Sequence, residues 1–98
     1  MNSRYIIAPD ADKDLDEIRD KIASDSPAAA ERLLRLFHTH FERIADFPHI
    51  GTAREDIRPS LRSVPVGNYV IFYREAPEAV QIVRVLWGGR DIKRLLKD

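Results

Sequence analysis

Apolar positions in the first half of the chain recur at helical spacing. Ala11, Leu15, Ile18 and Ile22 fall four, three and four apart, which makes one apolar stripe on a helix that ends near Ala23 or Ser24. Before it, Tyr5, Ile6 and Ile7 are β-formers within a short strand, Arg4–Ala8, that Pro9 stops. Asp10 is then positioned to cap the helix, with Asp12, Asp14, Asp16 and Glu17 near its positive end. Ser26-Pro27 restarts the pattern as a serine cap followed by proline at the first helical position. Ala30, Leu33, Phe37, Phe41, Ile44 and Ala45 continue at threes and fours until Pro48 forbids helix at its neighbour. The short link between the stripes predicts an antiparallel helical hairpin.

Beyond Pro48 the period changes. Residues 48–60 have no clear repeat, and Gly51, Pro59 and four charges mark a loop that is either functional or partly strand. Three strands follow, Leu61–Val66, Tyr69–Tyr73 and Val80–Leu86, with Gly67-Asn68 as a tight turn between the first two. They read as an antiparallel meander, and Asp91 can cap a short terminal helix holding Ile92, Leu95 and Leu96. The predicted architecture is α+β, in the order β-α-α-β-β-β, with the hairpin on one face of a small sheet. The pattern leaves the place of the first strand in that sheet open.

Simple alternation assigns the sheet's faces. In Val80–Leu86 it puts Val80, Ile82, Arg84 and Leu86 on one side, and Gln81, Val83, Val85 and Trp87 on the other. Both sides are then partly apolar. A helical hairpin covers only one, so the other is expected to be a semi-apolar, arginine-bearing surface that meets a partner.

Composition narrows the classes. Ninety-eight residues are a single domain, residues 1–98. With no cysteine, disulfide frameworks and thiolate metal sites are excluded and a cytoplasmic protein is expected. There is no signal-like start and no apolar run long enough for a membrane span. Sixteen basic and sixteen acidic side chains cancel overall. Residues 1–56 nevertheless hold 8 Lys/Arg against 12 Asp/Glu, and residues 57–98 hold 8 against 4. The basic half is the sheet half, suited to an acidic partner.

Candidate chemistry is sparse. His38 and His40 lie two apart on the second helix and point in different directions, and no metal-ligand spacing accompanies them or His49. The acidic run Asp12 to Asp20 reads as a solvated face matched to the helix dipole. No phosphate loop, dinucleotide fingerprint or nucleophile elbow is present, so no metal and no cofactor are expected. What remains is Arg62, Tyr69, Tyr73, Arg74, Arg84, Trp87 and Arg90. Arginines with aromatics anchor protein interfaces and can also hold RNA. RNA cleavage needs an acid and a base, and arginine, always charged, is a poor one.

Several stretches together carry a resemblance. They are Tyr5-Ile6-Ile7-Ala8 followed by Ala11, Asp14, Leu15 and Ile18, then Ser26-Pro27-Ala28-Ala29-Ala30, Phe47-Pro48-His49-Ile50-Gly51 with Arg54, Leu61-Arg62, Gly67 to Arg74 and Ile82 to Asp91. In this order and at this spacing the chain resembles the ParE toxins of the RelE/ParE superfamily over nearly its whole length. The resemblance implies the fold already read from the pattern. It implies a type II toxin that inhibits DNA gyrase by binding, without chemistry of its own. It also implies a ParD-like antitoxin as neutralising partner, through which alone operator DNA would be met. RelE-type relatives instead cleave mRNA on the ribosome, and on that alternative Arg62, Arg84 and Tyr73 would stand at the scissile phosphate. Against it, Ile92–Asp98 has neither tyrosine nor histidine, and Trp87 stands where many members have histidine. A third alternative is a non-toxic member held in a stable complex with its antitoxin.

Overall fold

The computed structural model describes residues 4–96. Its elements are β1 (Tyr5–Ile7), α1 (Pro9–Ala23), α2 (Pro27–Asp46), β2 (Thr52–Ala53), β3 (Arg62–Val66), β4 (Tyr69–Glu75), β5 (Val80–Trp87) and α3 (Ile92–Leu96). The α+β architecture expected from the pattern is the one observed. Sequence positions 2, 3, 97 and 98, which entered the readings of both ends, lie outside the described residues.

Local rules account for most boundaries. At α2, the Ser26 hydroxyl accepts the Ala29 N–H at 3.2 Å and Pro27 opens the helix. At α1 the start differs from expectation. Ala8 is the N-cap, Pro9 is already helical, and Asp10 lies in the first turn without capping it. Proline's fixed φ suits the first helical position, so the residue that stops the strand also begins the helix. The hairpin β3–β4 closes on two residues, Val66 pairing with Tyr69 and Gly67 at φ 58°. That backbone region costs a side-chain-bearing residue, and glycine enters it freely. The long loop does contain a strand, β2, which pairs with β3.

The five strands run in the order β1-β5-β4-β3-β2. β1, which the pattern left unplaced, lies parallel to β5 at the sheet's end, while the other pairs are antiparallel. Both helices cover one face. Ala11, Leu15 and Ile18 of α1 and Phe37, Phe41 and Ile44 of α2 are buried against Ile71, Tyr73, Ile82 and Val85.

β5 does not alternate throughout. Phe72 pairs with Arg84, but Tyr73 pairs with Ile82, so Val83 is an extra residue and β5 bulges there. The bulge exchanges the two faces downstream of Ile82. Val80, Ile82 and Val85 share the helix-side core, and Leu86 and Val83 join the opposite cluster. Face assignments for Val85, Leu86 and Trp87 from simple alternation are therefore reversed relative to Val80 and Ile82.

The second face is not left open. α3 and the 57–61 segment fold over it, burying Leu61, Phe72, Leu86 and Leu96 together, with Ile57, Val70, Val83 and Ile92 packed alongside. Burying Leu96 against this cluster is favourable by roughly 1.5–3 kcal/mol, which offsets the ordering of so short a helix.

Candidate partner interface

The seven candidate residues fall into separate groups. Arg84 belongs to the first. Its Nε and Nη2 donate to the two carboxylate oxygens of Asp14 at 2.8 and 2.9 Å, and the Val85 N–H donates to the same carboxylate at 3.0 Å. β1 ends at Ile7, and its last ladder bond runs from the Ala8 N–H to the Ile82 carbonyl. The outer edge of β5 beyond Ile82 therefore lacks a strand, and Asp14 supplies the acceptor. Asp14 is buried, not part of a solvated acidic face. The Asp14 carboxylate, chiefly through these hydrogen bonds, holds the Arg84 guanidinium still more firmly protonated than usual.

Arg62 and Tyr73 form the second group, as cross-strand neighbours at the loop after α2. Tyr73 is fully buried. Its hydroxyl donates to the Pro48 carbonyl at 2.8 Å and accepts the Gly51 N–H at 2.9 Å. Arg62 Nη1 donates to the Gly51 carbonyl at 2.7 Å, and its Nη2 lies 3.3 Å from His49 Nδ1. The other ring nitrogen of His49 lies 3.2 Å from a Glu75 carboxylate oxygen. Burial raises the Tyr73 phenol above its ordinary value, so the group stays neutral at physiological pH. Both side chains pin residues 48–51 to the sheet. Around them stand Phe47 and Ile50, exposed at the end of α2.

Tyr69, Trp87 and Arg90 make the third group. Tyr69 and Trp87 pair across β4 and β5, and the Gly88 N–H donates to the Asn68 carbonyl at 2.8 Å, tying the terminal turn to the hairpin. Tyr69 packs edge-on against Phe37 at 5.6 Å. Trp87 is 52% exposed and lies against the backbone of Gly89, where a Cβ would collide with the ring. With Arg90, Glu17 and Lys21 it borders a cleft of about 380 Å³ between α1 and the sheet end. Arg74 stands apart, on the second face, where its Nε donates to Gln81 Oε1 at 2.7 Å.

The arrangement divides the trio considered for RNA cleavage. Arg62 and Tyr73 sit on the helix side of β3 and β4, whereas Arg84 stands with Phe72 on the other side at the bulge. The Tyr73 hydroxyl is committed as both donor and acceptor. Among the described residues no cluster of histidine, aspartate and glutamate is placed to hold a metal ion, and no helix is long and apolar enough to cross a membrane. Sequence reasoning missed the burial of Asp14 and its pairing with Arg84, and the joining of His49 to Arg62 and Glu75. For Asp14 a signal existed: it falls at the interval between Ala11 and Leu15, on the buried stripe.

The sequence matches the family of ParE toxins of the type II toxin–antitoxin system parDE over residues 5–92. The chain belongs to the ParE toxin family. Toxin ParE1 of Mycobacterium tuberculosis is 37% identical over 101 residues, an alignment spanning 98% of this chain and all of the relative. Toxin ParE3 of Caulobacter vibrioides is 36% identical over 81% of this chain and 80% of its own. Toxin RelE3 of the same organism is 30% identical over 81% of this chain and 87% of its own. Among solved structures, the chromosomal ParDE toxin–antitoxin system from P. aeruginosa superposes with a TM-score of 0.74 at 18% identity, covering 87% of this chain and 95% of that one. At that identity the likeness concerns the fold. The helical hairpin, the five-stranded sheet and the short terminal helix are thus features of a ParE-type toxin domain.

Proposed function

We propose that this ParE family member is the toxin half of a cytoplasmic toxin–antitoxin pair, stopping DNA gyrase by binding and released from action by a ParD-like antitoxin. Its membership of the ParE family across residues 5–92 carries this reading. The geometry supports binding over catalysis. Arg84 is engaged by Asp14, Tyr73 is sealed beneath the 48–51 loop, and the two lie on opposite faces. The exposed Trp87 and Arg90 at the terminal turn are the side chains we assign to target contact, since aromatics and arginine dominate interface energetics. Purified protein should arrest plasmid supercoiling by gyrase, and Trp87→Ala should weaken that arrest. Intact supercoiling together with mRNA cleavage on translating ribosomes would overturn the proposal.

Two observations favour that second reading. A relative named RelE3 also matches over 81% of this chain, and His49 beside Arg62 and Glu75 is the one place where an imidazole, a carboxylate and a guanidinium meet among the described residues. Should ribosomal cleavage be seen, His49→Ala should abolish it while Arg84→Met should act mainly on stability.

A further inference from the structure

At the end of α2 the fold uses buried polar bonds to hold apolar side chains out in solvent. Phe47 is 62% exposed and Ile50 46%, and neither joins a core cluster among the described residues. The segment that carries them is fixed. The Tyr73 hydroxyl holds the Pro48 carbonyl and the Gly51 N–H, and Arg62 Nη1 holds the Gly51 carbonyl. The Ile50 N–H donates to the Phe47 carbonyl at 3.0 Å, closing a turn between the two. With Arg43, Asp46, Pro48 and His49 they border an open recess of about 570 Å³. Its rim carries one charge of each sign. Arg43 and Asp46 are both exposed, three positions apart on α2, and neither is in an ion pair among the described residues. Asp46 is also the last residue of α2, where the negative helix end disfavours a carboxylate. A cation from outside would relieve that placement.

We infer that this end of the molecule is a two-fold contact between copies of the chain. Phe47 and Ile50 of each copy enter the recess of the other, and Arg43 of each meets Asp46 of the other. Charge complementarity selects a second copy as the occupant. A two-fold contact sets the same patch on both sides, so the patch must complement itself. This one does, with an apolar knob beside an apolar recess and a cation beside an anion on one rim. The chain's net charge of zero adds no overall repulsion between copies. The knob is also set before binding, so little ordering opposes the contact. Six lining residues a side are well short of the roughly 20–30 of a standard interface, so the pairing is weak and concentration-dependent. The contact lies at the Tyr73 end of β4, whereas Trp87 pairs with Tyr69, roughly 13 Å back along the strand. Each copy therefore keeps its terminal turn free, and the pairing is independent of what that turn contacts.

Sedimentation velocity of the purified protein over a concentration series tests the contact. The average mass should rise toward twice that of one chain as the concentration approaches about 1 mM. Phe47→Ser should abolish the rise. Arg43→Glu alone and Asp46→Arg alone should each weaken pairing at least roughly tenfold, because like charges then face each other. Mixed in equal amounts, these two variants should pair with one another, since both cross contacts are again opposite in sign. Recovery in the mixture also shows that each variant is folded. A parent that stays monomeric at about 1 mM would overturn the inference and give the patch to an unrelated partner. Unchanged pairing in Phe47→Ser or in either charge variant, or a mixture that stays monomeric, would overturn it equally.

Discussion

Asp14→Ala is the substitution whose cost follows most directly from the structure. Asp14 keeps only 7% of its side chain exposed and accepts three hydrogen bonds, two from Arg84 and one from the Val85 N–H. Removing it leaves a largely buried guanidinium and a buried β5 donor unpaired. Breaking a buried pair from one side costs roughly 3–5 kcal/mol. Arg84 keeps 20% of its side chain exposed and can turn toward solvent, which places its share at the low end or below. The orphaned N–H adds roughly 1–3 kcal/mol. A total near 4 kcal/mol is a large part of the roughly 5–15 kcal/mol that stabilises a domain of this size. With a urea slope of about 1–3 kcal/mol/M, the midpoint should fall by roughly 1.3–4 M. Urea unfolding followed by circular dichroism measures it. Asp14→Asn, which keeps an acceptor for Val85, should cost less. Asp14→Ala combined with Arg84→Met should recover at least about 1 kcal/mol over Asp14→Ala alone, because no unpaired cation remains. A cost below about 1 kcal/mol for Asp14→Ala, or strict additivity in the cycle, would refute the account of this contact.

Three further outcomes follow from particular contacts. Gly51→Ala would set a Cβ 2.6 Å from the Tyr73 hydroxyl and 2.8 Å from the Ser63 carbonyl oxygen, so it should cost about 2–3 kcal/mol in thermal unfolding. Part of that cost should vanish in the Tyr73→Phe background, where the hydroxyl is gone. Burial raises the phenols of Tyr73 and of Tyr5, the latter also through Glu42, so the folded state holds these protons more tightly than the unfolded chain. Their contribution is complete below about pH 10 and is lost as pH rises through the folded values; alkaline unfolding should shift upward in Tyr73→Phe or Tyr5→Phe. Gly89→Ala should drive the Trp87 ring off the terminal turn and, if the proposed gyrase reading holds, weaken gyrase arrest as is expected of Trp87→Ala, with a melting temperature near the parent's. Arrest by Gly89→Ala at parental strength would remove Trp87's placement from the target contact.

Much of this toxin domain was legible one element at a time. The stripes of α1 and α2, the Ser26-Pro27 start, the Gly67-Asn68 turn and the strand segments are local, since helix and strand periods, caps and turn glycines act within a few residues. The candidate site was less legible. Arg62, Tyr73 and Arg84 were singled out as one set by residue type, yet the fold spends Tyr73 on residues 48–51 and Arg84 on Asp14. An arginine held for a ligand and one held by a buried carboxylate look alike in a sequence, because the partner lies 70 positions away.

The sequence by itself determined the elements other than β2, their order and the membership of the ParE family. Tertiary structure decided three things. β1 lies beside β5, because pairing there lets Tyr5 meet His38 and Phe41 of α2. One extra residue at Val83 reverses the faces of Val85, Leu86 and Trp87, since a period of two carries its phase only along an unbroken ladder. α3 covers the second face because Leu96 finds Leu61, Phe72 and Leu86 there. Each is a contact between distant segments, and its energy comes from burial that exists only after the chain has closed on itself.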